Sequence, residues 1–142
     1  TQPVNKQSLT RTIRAVGRVE IDQTKLWNVT LKFSGWIHKL FVNYAGAFVE
    51  KDAPLLQIYS QELYATQNEF LNLLNNPRPS QSLVNVTRER LKLWDLSDSQ
   101  IDEIAQTKKP IQYMTIYSPA RGIVIDKTAV EGMQIEIGKP LY

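Results

Sequence analysis

The sequence predicts an α+β fold, in which two related half-motifs form a small β-sandwich and a helical insertion separates them. Three observations support this prediction. A pattern of glycines, hydrophobic runs and a Pro-Leu pair occurs twice, in residues 33–56 and 118–142. Between the two copies, strand-like alternation gives way to the period of about 3.6 residues that is typical of helices. The length of 142 residues suits one compact domain with a single insertion.

The repeat is defined by two glycines and a proline at matched spacing. If the first copy has one extra loop residue, aligning the first glycines also aligns the second, and a Pro-Leu pair begins eight positions later in both copies. The aligned pairs are Gly35 with Gly122, Gly46 with Gly132, and Pro54 with Pro140. A unit of roughly 25 residues cannot bury its own apolar face. We therefore expect the two copies to superpose and to pack together as one sandwich.

The insertion predicts a short helical hairpin followed by a further short helix. Ser60 is a typical N-cap for the first helix. The turn formers of residues 75–80 end that helix, and the run Ser97-Asp-Ser-Gln100 is a capping box that starts the last one. The apolar face predicted for the first helix contains Leu63, Phe70 and Leu74. The face predicted for the second contains Leu83, Val84, Val86, Thr87, Leu91 and Trp94.

Alternation of apolar and polar residues continues ahead of the first half-motif, in residues 9–29, and predicts strands there. We divide the chain into four segments on this basis. They are N-terminal strands in 1–28, which could be the remnant of a β-barrel, a first half-motif in 29–59, the hairpin with its extra helix in 60–109, and a second half-motif in 110–142. Since the pattern stops in mid-strand at Tyr142, we expect a fragment of a longer protein.

Composition argues against several kinds of chemistry. The chain has no cysteine, which excludes disulfides, thiolate zinc sites and cysteine nucleophiles. No carboxylate pair, Ser/His/Asp set or phosphate-binding loop can be assembled, so we predict no catalytic residue, no cofactor and no enzyme activity. The net charge is +3, and the basic residues of the first segment are spaced singly, at Lys6, Arg11, Arg14, Arg18, Lys25 and Lys32. We therefore expect no nucleic-acid partner. No run of about 18 apolar residues is present that could span a membrane.

Few residues could contribute to a metal site. Thioethers suit Cu(I), and the two methionines, Met114 and Met133, both fall in predicted strands. His38 is the single histidine and also lies on a predicted strand. We expect the methionines to pack in the core and the histidine to pack on or in the sheet. The chain is therefore predicted to hold neither Zn(II) nor Cu(I) tightly.

Several runs of residues carry a resemblance to a known family. They are Phe33–Val42, Gly46 with Pro54-Leu55, Tyr59–Leu63, Gln67–Leu71, Arg90–Trp94, Ser97–Ile101, Ile116–Gly122 and Glu131–Met133. Together with the split half-motifs, they resemble the periplasmic adaptors, or membrane fusion proteins, of the HlyD-like superfamily. Within it, the similarity is to the heavy-metal branch of copper/silver and cobalt-zinc-cadmium adaptors.

The resemblance implies a biotinyl/lipoyl-like β-sandwich, also called a barrel-sandwich hybrid. It implies a periplasmic, non-enzymatic protein that links an inner-membrane RND transporter to an outer-membrane channel for the efflux of heavy-metal cations or drugs. It further implies assembly with other adaptor protomers, and anchoring to the inner membrane through a segment outside this chain.

Two other functions stay open at this point. One is an adaptor for an ABC-type exporter. The other, of a different class, is a lipoyl or biotinyl carrier domain of an acyl- or carboxyl-transfer enzyme. Asp126-Lys127 is similar to a lipoylation site, but it lies inside the second half-motif and not at the junction of the halves. We therefore expect an exposed charge pair there, and a lipoyl or biotinyl mass on Lys127 would favour the carrier.

The polar connection of the hairpin is the predicted partner-contact surface. Its side chains are Asn75, Asn76, Arg78 and Ser80. The prolines on either side of Arg78 limit the freedom of the connection, and so limit the entropy lost on binding. Amides and one arginine suit a hydrated, weak contact with channel helices or with a neighbouring adaptor.

Overall fold

The computed structural model describes residues 3–142. A single-turn 3-10 helix at Gln23–Lys25 precedes the first strand. The remaining elements, in chain order, are β1 Gly35–Leu40, β2 Phe48–Val49, β3 Pro54–Tyr59, α1 Gln61–Asn75, α2 Gln81–Leu93, α3 Asp98–Thr107, β4 Met114–Tyr117, β5 Gly122–Ile123 and β6 Gln134–Ile135.

Within residues 3–142, the strands form a larger sheet of order β4-β3-β1-β6 and a smaller sheet of β2 and β5. All of the pairings are antiparallel. Each half-motif contributes to both sheets, since β1 pairs with β6 and β2 pairs with β5. The halves are therefore interlocked through their backbones. With the helices inserted between them, this arrangement confirms the predicted α+β sandwich.

The half-motifs are joined by hydrogen bonds that repeat under the alignment of the two copies. The N–H of Gly46 donates to the carbonyl of Val124 at 2.7 Å, and the aligned Gly132 donates to the aligned Ile37 at 2.9 Å. Both glycines have left-handed backbone, with φ of 91° and 78°. Glycine adopts this conformation without the steric cost of a Cβ. The second glycine of each copy therefore lies in the same kind of tight turn.

The prolines of the repeat also occupy equivalent places. Pro54 pairs with Tyr117 at the start of β3, and Pro140 forms a bridge with Thr30. Thr30 and Tyr117 are aligned, because each lies five residues before the first glycine of its copy. A proline is tolerated at the first residue of a strand, where its missing N–H removes no inner hydrogen bond.

The main core lies between the larger sheet and the helices. Its fully buried members include Phe33, Ile37, Leu56, Ile58, Leu63, Phe70, Leu91, Ile101, Ile104 and Met114. A second, smaller cluster lies on the side of the smaller sheet and contains Val49, Leu55 and Val124.

Local capping explains where two of the helices begin. The Ser60 Oγ accepts a hydrogen bond from the Leu63 N–H at 3.2 Å, as expected of an N-cap. At α3, the Gln100 N–H donates to the Ser97 Oγ at 3.2 Å and the Ser97 N–H donates to the Gln100 Oε1 at 3.0 Å. Both predicted caps are confirmed.

The apolar face predicted for α2 is wider than the face that the structure buries. Val84, Thr87 and Leu91 are buried, whereas Leu83 and Val86 are 53% and 58% exposed. Packing against α1 and α3 covers only the side of the helix on which the three buried residues lie. The prediction is therefore wrong for Leu83 and Val86, and Leu74 at the end of α1 is likewise exposed.

The strands predicted ahead of the first half-motif are absent from residues 3–29, where the only regular element is the 3-10 helix. Leu9, Val16 and Val19 are between 94% and 105% exposed. Alternation gives a segment two distinct faces, but a strand also needs a partner, and in the described chain the backbone of residues 3–28 hydrogen-bonds to no strand. No helix in residues 3–142 is long and apolar enough to cross a bilayer.

Candidate functional site

The predicted partner-contact side chains lie together in the connection between α1 and α2, the hairpin tip (residues 75–80). Asn75 ends α1, and its C-cap Asn76 turns the chain into extended backbone, with φ of −66° and ψ of 132°. The Asn76 Oδ1 accepts a hydrogen bond from the Arg78 N–H at 3.1 Å. Asn75, Asn76, Arg78 and Ser80 are all exposed. The tip therefore presents amide, guanidinium and hydroxyl groups on a turn whose shape is fixed locally.

The tip stands at a distance from the sandwich. The 15 residues of α1 separate it from the end of β3, which is about 22 Å of helix. Within residues 3–142, no carboxylate lies within ion-pair distance of the Arg78 guanidinium. This cation is thus available to an acidic group of another molecule.

Ion pairs tie the three helices into one unit behind the tip. Arg88 on α2 contacts Asp102 at 2.8 Å and Asp98 at 3.3 Å, both on α3, and Lys92 contacts Asp98 at 3.0 Å. Hydrogen bonds from Lys92 and Arg88 lower the pKa of the Asp98 carboxyl, and the hydrogen bond to Asp102 raises the pKa of Arg88. The pair between Arg90 and Glu69, at 3.2 Å, joins α2 to α1. These pairs are partly exposed, so each contributes modestly to stability, and together they link α2 to both α1 and α3.

A buried amide joins the helices to the larger sheet. Gln67 on α1 is fully buried, and its Nε2 donates to the Ile111 carbonyl at 3.1 Å while its Oε1 accepts from the Ile111 N–H at 2.7 Å. Both backbone groups ahead of β4 are thereby satisfied. Sequence reasoning missed Gln67. Its position four residues after Leu63, on the apolar face of α1, is the signal that could have identified it.

The candidate metal ligands differ in burial and in the groups that they contact. Met114 is 2% exposed in the main core, where its sulfur accepts a hydrogen bond from the Gln100 Nε2 at 3.2 Å. Met133 is half-buried against the same core. His38 is exposed, and its ring stacks on that of Tyr113 with a centroid distance of 3.9 Å. Residues 3–142 contain no group of three or more His, Cys, Asp or Glu side chains placed to hold a metal ion.

The Asp126-Lys127 pair lies just after β5. The Lys127 N–H donates to the Asp126 Oδ1 at 2.8 Å, and the Lys127 Nζ donates to the Ala129 carbonyl at 2.7 Å. A modifiable lysine of a carrier domain would have to be presented outward. Here the ammonium group folds back on the backbone of its own turn.

Gly35 lies beside the junction between β3 and α1. A Cβ at this position would lie 2.5 Å from the carbonyl oxygen of Tyr59, the last residue of β3. Only glycine therefore lets β1 approach β3 so closely next to Ser60, the N-cap of α1. The aligned Gly122 has no heavy atom within 4 Å of the same position.

Two known proteins are similar to this chain. The chain is 25% identical, over 139 residues, to a protein of Salmonella typhimurium named as a putative membrane fusion protein, SilB. The match covers 98% of this chain and 32% of that protein, so the chain spans about a third of the length of this relative. The crystal structure of ZneB from Cupriavidus metallidurans is similar with a TM-score of 0.49 and 15% identity, over 86% of this chain and 61% of that one.

The family described as CusB, barrel-sandwich hybrid domain, matches residues 26–142. The match runs from the segment before β1 to the end of the second half-motif and includes the helices between them. It confirms the resemblance to heavy-metal adaptors that the sequence runs indicated. The chain therefore belongs to the CusB barrel-sandwich hybrid domain family of membrane fusion proteins.

Proposed function

We propose that this chain is the sandwich and hairpin part of a periplasmic adaptor that links an inner-membrane RND transporter to an outer-membrane channel for heavy-metal efflux. The observation that carries the proposal is the exposed polar tip, held by ion-paired helices about 22 Å along α1 from the sandwich. Family membership and the name of the Salmonella relative, a membrane fusion protein, support it.

In this proposal the sandwich is a mount and the tip is the contact surface. Asn75, Asn76, Arg78 and Ser80 touch channel helices or the hairpin of a neighbouring adaptor protomer. Pro77 and Pro79 hold the turn in one shape, so little conformational entropy is lost on contact. A polar, hydrated interface of this kind suits an assembly that must form and separate.

The same proposal gives the protein no catalytic role. The helical hairpin replaces the turn at which a carrier domain would present its modified lysine, and the Lys127 ammonium donates to the backbone carbonyl of Ala129. Anchoring to the inner membrane and contact with the transporter belong to other parts of the adaptor. The division into segments 29–59, 60–109 and 110–142 remains part of this proposal.

The experiment that tests the proposal compares two charge-matched double variants of the full-length adaptor in cells. Asn76→Glu with Arg78→Glu alters the tip, and Gln106→Glu with Lys109→Glu makes the same change in net charge at the exposed end of α3. We expect the tip variant to lower metal resistance at normal expression, and the α3 variant to leave it unchanged. Unchanged resistance in the tip variant would show that the partner contact lies elsewhere.

A further inference from the structure

The outer face of the larger sheet, which points away from the main core, carries aromatic side chains from three neighbouring segments. Trp36 on β1 lies opposite Tyr59 on β3, and Tyr113 immediately precedes β4. The chain neighbours Ile37 and Ile58 are buried in the main core. Because side chains alternate between the two faces of a strand, the aromatic rings lie together on the outer face.

These rings line an open cleft. The ring centroids of Tyr59 and Tyr113 are 6.4 Å apart, and the ring of His38 stacks on Tyr113 at 3.9 Å. With Trp36 and Gln112 they line a volume of about 290 Å³, which we name the aromatic cleft. This volume is close to the lower end of the range for small-molecule sites, about 300–1,000 Å³. Trp36 and Tyr113 are 46% and 40% exposed, so a ligand can reach both rings.

The rest of this face does not require aromatic residues. The Gln57 Nε2 donates to the Thr115 Oγ1 at 3.4 Å across β3 and β4, and the exposed Gln134 lies opposite Trp36. Polar side chains therefore occupy neighbouring positions of the same face. The aromatic rings are a local feature of the end of the sheet where β3 leads into α1.

The side chains of the aromatic cleft restrict the chemistry of a ligand. None of the described residues that line it is Asp, Glu, Lys or Arg, so no permanent charge is present to neutralise an ionic ligand. The lining side chains nevertheless offer an indole N–H, an imidazole, two phenol hydroxyls and one amide. Within residues 3–142, none of these groups makes a hydrogen bond to the protein. A complementary ligand is uncharged, apolar on its faces and able to form hydrogen bonds at its edge.

A sugar ring has these properties, and an added peptide strand does not fit. Strands β1 and β3 are both inner strands of the larger sheet, so neither has a free backbone edge to which an extended peptide could bond. A pyranose ring carries C–H groups on its faces and hydroxyl groups around its edge. The partial positive charge of the C–H groups is attracted to the negative face of an aromatic ring.

We propose that the aromatic cleft binds a glycan strand of N-acetylated amino sugars, with one sugar ring stacked on Trp36. The Gln112 amide has both a donor and an acceptor, and it pairs with the acetamido group of the sugar, which has the same two groups. A periplasmic adaptor, as proposed above, would meet such a strand in the cell wall. The cleft adjoins the start of α1, about 22 Å of helix from the hairpin tip, so a negative result here leaves the contact role of the tip intact.

The test is calorimetric titration of the 142-residue chain with the linear tetramer of N-acetylglucosamine. We expect binding, and we expect Trp36→Ala and Tyr113→Ala each to weaken it by roughly tenfold. Trp27→Ala is the matched control, because Trp27 is 64% exposed and lies outside the aromatic cleft, and it should leave the affinity unchanged. Trp36→Phe keeps an aromatic ring opposite Tyr59 and should retain most of the affinity. Thermal unfolding of each variant separates loss of binding from loss of the fold.

A second comparison tests the acetamido contact. The parent chain should bind the linear tetramer of glucose more weakly than that of N-acetylglucosamine, and Gln112→Leu, at an exposed position, should remove this preference. The proposal is overturned if the parent chain shows no binding at millimolar tetramer, or if Trp27→Ala weakens binding as much as the folded variants of the cleft do. Tighter binding of a proline-rich peptide than of the tetramer would also overturn it, since such peptides dock on aromatic grooves as well.

Discussion

The backbone N–H of Gly46 donates to the carbonyl oxygen of Val124 at 2.7 Å, so a turn of the first half-motif is closed on a residue 78 positions later in the second. The reciprocal bond, from Gly132 to Ile37, closes the corresponding turn of the second half on the first. Each half therefore supplies the hydrogen-bond acceptor for a turn of the other. The sandwich contains backbone from both sides of the helical insertion. The position of the hairpin therefore depends on the folded sandwich.

Gly35→Ala should destabilise the mount. The added Cβ meets the Tyr59 carbonyl oxygen, a backbone atom that can move only with β3. We expect a loss of about 1–3 kcal/mol in the free energy of unfolding, measured by urea denaturation. Gly17→Ala is the control, because a Cβ at Gly17 meets nothing within 4 Å. Equal stability of the two variants would contradict the close approach of β1 to β3.

Gln67→Met should remove the hydrogen bonds that join α1 to the segment ahead of β4. Methionine has a similar volume but leaves the buried N–H and C=O groups of Ile111 without partners. We expect a loss of roughly 1–3 kcal/mol. Gln106→Met, at an exposed position of α3, should change stability little. A loss for Gln67→Met no greater than that of the control would show that the amide bridge contributes nothing.

The contacts of Asp98 should contribute to stability in a pH-dependent way. Hydrogen bonds from Lys92 and Arg88 lower its pKa in the folded chain below the ordinary value of 3.8. A carboxyl with a lowered folded pKa stabilises the fold fully above its unfolded pKa, and the contribution is lost as the pH falls through the folded pKa. The stability difference between the parent chain and Asp98→Asn should therefore shrink below about pH 4.

The second half of this test uses Lys92→Met, which removes the largest cause of the shift. In the Lys92→Met background, the loss of stability caused by Asp98→Asn should be smaller at neutral pH. It should also change less as the pH is lowered. Thermal unfolding at a series of pH values measures both quantities. A difference that is constant from neutral pH to pH 2 would rule out a role for the ionised Asp98.

The chain alone should not bind Zn(II) or Cu(I) at sub-micromolar concentration. Met114 is buried in the main core, and His38 is exposed and stacked on Tyr113. A site that used Met114 would therefore require its sulfur to become exposed from the core. Calorimetric titration is the measurement. A stoichiometric, tight site would contradict this prediction, and loss of that site in His38→Ala or Met133→Leu would identify its ligands.

Much of the fold could be predicted because its signals are local. Ser60 and Ser97 cap the helices that follow them through contacts three residues away. The glycines of the repeat are needed at turns that recur. The strands predicted before residue 29 were wrong because alternation belongs to the segment itself, whereas pairing depends on a partner that the sequence pattern does not specify.

For the candidate site, the sequence predicted the position of the exposed connection but not the contacts of the helices behind it. Turn formers marked residues 75–80 as an exposed connection, and that is where the structure places them. The groups that hold the helices behind the tip were missed. Gln67 is polar on an apolar face, and Arg88 pairs with Asp102 on a different helix. The period of α1 marks Gln67 as buried, but it does not identify the partner Ile111, and nothing periodic pairs Arg88 with Asp102, because both contacts depend on how separate elements pack.

Site-specific photo-cross-linking tests the central claim, that the tip is the partner-contact surface, most directly. A photoreactive residue replaces Arg78 in the full-length adaptor, and Gln106, exposed on α3, serves as the matched control position. In cells expressing the transporter and the channel, we predict cross-links from position 78 to the channel or to a neighbouring adaptor, and none from position 106. Absence of any cross-link from position 78 in cells that remain metal-resistant would contradict the account.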